Sequence, residues 1–105
     1  MSLGELKKIL EKTTYPVAYR NFTSVPEPPY ICFLVAFSPN FYADNTTYQE
    51  FDSVQIELYT KFKDEVAEQK VKEVLNAAML PFDKSETFIE PLNLYQILYE
   101  VRLIK

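Results

Sequence analysis

The chain has 105 residues, eleven Lys and Arg against fifteen Asp and Glu, no His, one Cys and one Gly. A net charge of −4 and a 48% hydrophobic share suit one acidic globular domain, residues 1–105, and argue against a general DNA-binding surface. Without His there is no Ser-His-Asp or Cys-His pair, a lone Cys32 permits no intrachain disulfide, and a lone Gly4 permits no phosphate-cradling glycine loop.

Residues 2–13 predict a helix. Ser2 and Glu5 have capping-box spacing, and Leu3, Leu6, Ile9, Leu10 and Thr13 form one apolar stripe. Pro16 stops it, and residues 17–21 predict a short edge strand. Pro26, Pro28 and Pro29 then impose an extended linker, because proline lacks the N–H that a helix or central strand needs.

Residues 30–37, YICFLVAF, are apolar throughout. Such a strand is covered on both faces, or on one face by the core and on the other by a partner chain. It is the longest apolar run, far short of the ~20 residues of a membrane helix. No basic-then-apolar signal opens the sequence, so synthesis in the cytoplasm and no membrane contact are expected. Turn residues Ser38, Pro39, Asn40, Asp44 and Asn45 predict a protruding hairpin tip. Residues 53–60 alternate, with Val54, Ile56 and Leu58 opposed to Gln55, Glu57 and Tyr59, as in a half-exposed strand.

Residues 64–80 predict a second helix. Ala67, Val71, Val74, Leu75 and Ala78 line its apolar stripe; Glu65, Glu68, Gln69, Lys72 and Glu73 are expected in water. Two strands follow, residues 82–90 and 94–104, joined by a turn at Pro91, Leu92 and Asn93. Tyr95, Ile97, Tyr99, Val101 and Leu103 share one face of the last strand. The order α-(β)-β-β-α-β-β predicts an α+β fold: one mostly antiparallel sheet with two amphipathic helices packed on one face.

No cluster compels a chemistry. Cys32 reads as a small buried hydrophobe, since no cation adjoins it in sequence. The acids around Asp44 lack the mid-loop glycine of a calcium loop, and Asp83, Glu86 and Glu90 read as a solvated strand edge. No catalytic residue, metal site or cofactor is expected. A small enzyme with a pocket lined by Tyr59, Tyr95 and Tyr99 is a rival reading, and so is a protein-binding adaptor. The aromatics stand out: 8 Tyr and 8 Phe, with Tyr30, Phe33, Phe37, Phe41, Tyr42, Tyr48 and Phe51 around one hairpin. Aromatic side chains bury large areas at low entropic cost, so exposed clusters mark protein interfaces. Phe37, Phe41, Tyr42, Tyr48 and Phe51 are the candidate interface residues.

The stretches PPYI (28–31), FYADNTTY (41–48), QIELYT (55–60), TFIE (87–90) and LYQILYE (94–100), taken as a set, resemble the tail terminator proteins of prophages and long-tailed phages of Gram-positive bacteria. KFKD at 61–64 stands where that pattern has DKKD. The resemblance implies a non-enzymatic virion protein made in the host cytoplasm. Its subunits would form a ring, usually a hexamer, from chains that can be monomers in solution. The ring would terminate the tail tube and join tail to head. The implied partners are further copies of the chain, the major tail protein and the head–tail connector proteins, with DNA passing through the ring unbound. A neighbouring connector or stopper role is the alternative within the same class.

Overall fold

The computed structural model describes residues 1–37 and 51–104. It contains helices α1 (Leu3–Glu11) and α2 (Glu65–Ala77) and strands β1 (Val17–Tyr19), β2 (Tyr30–Phe37), β3 (Phe51–Thr60), β4 (Asp83–Ile89) and β5 (Leu94–Ile104). The five strands make one sheet in the order β1-β2-β3-β5-β4. β1 runs parallel to β2, and every other pairing is antiparallel. This is the expected α+β architecture. The expected hairpin joins β2 to β3, and its tip lies outside the described residues.

Local chemistry sets the ends of the elements. Ser2 Oγ accepts the Glu5 N–H at 3.1 Å while Glu5 Oε1 accepts the Ser2 N–H at 3.2 Å, a closed capping box. Asp64 caps α2 by accepting the Ala67 N–H at 3.0 Å. At its other end Met79 turns left-handed, φ 60°, so the Leu80 N–H reaches back to the Leu75 carbonyl at 2.9 Å. Pro81 then forbids further helix. Asn93, φ 54°, closes the short 3-10 turn between β4 and β5.

The alternation read from sequence fixes which face is buried. Ile31 and Phe33 of β2, Val54, Ile56 and Leu58 of β3, and Ile97, Tyr99, Val101 and Leu103 of β5 meet Leu6 and Leu10 of α1 and Ala67, Val71 and Leu75 of α2 in one core. Register confirms the shared face: Ile31 stands opposite Leu58, Phe33 opposite Ile56, and Ile56 opposite Tyr99. Both helices therefore lie on one side of the sheet.

One residue of α2 departs from expectation. Glu68, placed by periodicity on the wet face, is 4% exposed. Its position turns it toward β4, where Lys84 Nζ lies 2.7 Å from Oε1. Lys63 Nζ donates to the same oxygen at 3.0 Å and also pairs with Glu86. Oε2 sits 2.8 Å from the Lys63 ammonium with no directed hydrogen bond, so charge alone holds it. Burial pulls the Glu68 carboxyl up, but the two lysines more than offset this and hold it below its usual pKa. The Glu68 carbonyl also accepts the buried Tyr99 hydroxyl at 3.0 Å. Together these tie α2 to β4 and β5. Asp83, Glu86 and Glu90 are all exposed along the β4 edge of the sheet, as expected, and Glu86 also pairs with Lys63.

Candidate interaction surface

Neither helix covers the second face of the sheet. In strand order it reads Tyr30, Tyr59, Gln96, Thr87 in one row, then Cys32, Glu57, Leu98, Ser85, then Leu34, Gln55, Glu100, Asp83. Ser53 and Arg102 stand opposite each other beyond, with Phe51 at the start of β3.

The Tyr30 end is sealed from within the chain. The linker turns Phe22 edge-on to Tyr30, with ring centroids 5.5 Å apart, and Tyr30 stacks on Tyr59 at 5.0 Å. Cys32 is buried beside them, and burial together with the Glu57 carboxylate pushes its thiol up to about 11. A thiol so protonated is a packing residue, as its apolar neighbours in sequence suggested.

A polar chain runs along the middle of this face. Gln96 Nε2 donates to the Tyr59 hydroxyl at 2.9 Å, which donates to Glu57 Oε1 at 3.1 Å. Burial pushes the Tyr59 phenol up to about 12. Burial also raises the Glu57 carboxyl, and the Tyr59 hydrogen bond recovers only part of that cost. Among the described residues no ion pair reaches Glu57. Asp83 and Glu100 face each other directly across β4 and β5 on the same surface.

Of the candidate interface residues, Phe51 opens β3 on this helix-free face, with the Arg102 guanidinium 5.2 Å from its ring centre. Phe37 ends β2, in register with Ser53 after an irregularity past Val35. Phe41, Tyr42 and Tyr48 lie outside the described residues, as does the Asp44 loop.

The pocket of Tyr59, Tyr95 and Tyr99 does not form. Tyr59 belongs to the helix-free face, whereas Tyr99 lies in the core and Tyr95 packs against that core with Phe88. Strand alternation separates them: Tyr59 pairs with Gln96, so Tyr95 and Tyr99 point to the other side. Among the described residues no three His, Cys, Asp or Glu come together as metal ligands, and no helix is long and apolar enough to cross a membrane.

No protein-family model and no curated protein matches the chain. Its fold is similar to that of a chain in the virion of a native gene transfer agent particle, with a TM-score of 0.57. That alignment covers 91% of this chain and 84% of the other at 13% sequence identity, so the likeness is one of fold.

Proposed function

We propose that this chain is a non-enzymatic structural protein of a phage-like virion, the subunit of a ring that ends the tail tube and joins tail to head. The supporting observation is a fold shared along nearly the whole chain with a protein of a gene transfer agent virion. The tail-terminator resemblance of the sequence motifs, which is independent of the fold, narrows the role to the ring. Among the described residues helices cover the sheet on one side alone, which adds a physical reason, since the other side offers a surface to a neighbour. Phe37, Phe41, Tyr42, Tyr48 and Phe51 are the proposed contacts to a neighbouring subunit or to the tube.

Co-expression with the major tail protein of the same genome, followed by pull-down and electron microscopy, tests this. The expected result is tubes of limited length with a ring at one end. A Phe41→Ser/Tyr42→Ser variant should fold yet leave tubes uncapped. Binding to a head connector, with no binding to the tail protein, would assign the stopper role instead. Binding to neither would overturn the virion reading.

A further inference from the structure

We infer that the helix-free sheet face of one copy docks on the outer side of α1 of the next, through Glu57 and Glu100 against Lys8 and Lys12. This specifies the contact within the proposed ring and rests on that reading only for closure into a ring.

Three observations carry it. First, among the described residues no cation pairs with the carboxylates of the sheet face. Glu57 is half-buried, and among the described residues the Tyr59 hydroxyl alone hydrogen-bonds it, at 3.1 Å. Glu100 faces Asp83 across the strands, a like-charge pair that costs stability. Arg102, the cation on this face, stands over the Phe51 ring.

Second, the α1 region carries a net positive charge, three exposed lysines against Glu5 and Glu11. Lys7, Lys8 and Lys12 of the α1 region are exposed, and among the described residues none has a carboxylate within ion-pair distance. The outward face of α2 sets Lys70 and Lys72 against Glu65 and Glu73, so α2 offers no net charge to an acidic sheet. The spacing also fits. Lys8 and Lys12 are i,i+4 neighbours about 6 Å apart on one side of a helix. Glu57 and Glu100 are diagonal neighbours, because Glu57 pairs with Leu98 and Gln55 with Glu100. Such diagonals are about 7–8 Å apart.

Third, the two surfaces lie on opposite sides of the subunit. α1 packs on the core side of the sheet through Leu6 and Leu10, and Glu57 and Glu100 point away from it. Two different patches on opposite sides cannot pair as an isologous dimer. They join head to tail, which makes rings or filaments. Leu34 and Leu98, half-buried beside the carboxylates, supply apolar area to the same contact.

Sedimentation velocity at low ionic strength over a concentration series tests the contact without any tail tube. The wild type should self-associate, and added salt should reverse it. Glu57→Lys/Glu100→Lys gives a copy basic on both sides, and Lys8→Glu/Lys12→Glu gives one acidic on both. Each alone should associate at least about tenfold more weakly, since facing like charges costs several kcal/mol. An equimolar mixture should recover association, because each variant then supplies what the other lacks. Circular dichroism checks folding, and Glu100→Lys alone, at an exposed site, gives the same direction should Glu57→Lys disturb the sheet. A wild type that stays monomeric at every concentration, folded variants that associate like the wild type, or a mixture that fails to recover would each overturn the contact. Variants that still cap tail tubes normally would overturn it while leaving the ring intact. A wild type that associates here but caps no tube would instead sink the tail-terminator reading.

Discussion

Glu68→Gln is the substitution that best probes how α2 is held. It keeps the shape of the side chain and removes the charge that Lys63 and Lys84 share. The cost follows from what is left behind. The side chains of Lys63 and Lys84 are 46% and 41% exposed, so once the carboxylate is gone both ammonium groups rehydrate. The loss therefore falls short of the 3–5 kcal/mol of a fully buried pair and is about 1–2 kcal/mol after screening. With an unfolding entropy of about 2.1 cal/mol/K per residue, Tm should fall by about 5–9 °C. Lys84→Met should cost a similar amount. The double variant should cost about 1 kcal/mol less than the sum of the two, since both remove one interaction. The pH dependence has a definite sign. A carboxyl held below its usual pKa in the fold contributes fully above its unfolded pKa of ~4.3 and loses that contribution as pH falls through the folded value. The gap between wild type and Glu68→Gln should thus be complete at neutral pH and close in acid. Thermal and urea melts of the four proteins at neutral and acid pH read all of this. Simple additivity, or a gap that persists unchanged in acid, would refute a desolvated, lysine-held carboxylate.

Tyr99→Phe removes the hydroxyl bonded to the Glu68 carbonyl and should cost about 1 kcal/mol, because that carbonyl keeps its place in the helix ladder. Tyr99→Ala, which empties a site that is 0% exposed, should cost about 3–5 kcal/mol in the same melts. A disulfide reagent at neutral pH should leave Cys32 unmodified in the native protein and label it at once in denaturant; rapid native labelling would contradict both its burial and its raised pKa. Glu57→Gln should raise the Tm of the isolated subunit at neutral pH. Its carboxyl is raised in the fold, so ionisation costs stability above the folded pKa, and the advantage of the variant should shrink as pH falls through it. A lower Tm for Glu57→Gln at neutral pH would mean the carboxylate is already well satisfied within the subunit. Ser2→Ala opens the capping box and should cost about 0.5–2 kcal/mol by thermal melt.

The architecture was legible because period and punctuation agreed. Two helical stripes and the alternation of β3 and β5 each named their buried residues; the capping box and Asp64 marked the helix starts within a residue, while α1 and α2 stop two and three residues short of their expected ends. β3 begins at Phe51, two residues before the alternation is clean, because its first residues pair with Leu103 and Ile104. Glu68 was misplaced for a physical reason. Helical periodicity gives its angle but not the lysines that approach from Lys63 and from β4, and only those make a buried carboxylate tolerable. The supposed pocket of three tyrosines also failed. Alternation alone sets Tyr59 on the polar face of β3 and Tyr95 and Tyr99 on the apolar face of β5, so the pocket conflicted with it; what no local pattern encodes is the β3–β5 register that pairs Tyr59 with Gln96. The Gln96–Tyr59–Glu57 chain is invisible for the same reason, being formed across strands 37 residues apart.

The uniformly apolar β2 carries the strongest physical argument for a partner. A strand apolar on both sides needs two covers. Ile31 and Phe33 receive the first from the helices, with Val35 packed against the same core. On the other side Tyr30 and Cys32 receive theirs from Phe22 and Tyr59 at one end of the strand. Further along, Leu34 is only half-buried and Ala36 is exposed. This partly covered apolar end lies beside Gln55, in the same row as Glu100, and one row from Glu57 and Leu98. The apolar and the charged shortfalls of the subunit thus coincide on one surface. Covering that surface would bury Leu34 and Leu98 and give Glu57 a cation. The free chain forgoes both gains, which the proposed contact would supply. Substitutions there should separate the two properties: Glu57→Gln should stabilise the free chain and weaken its association, an opposition that a purely internal role for this carboxylate does not produce.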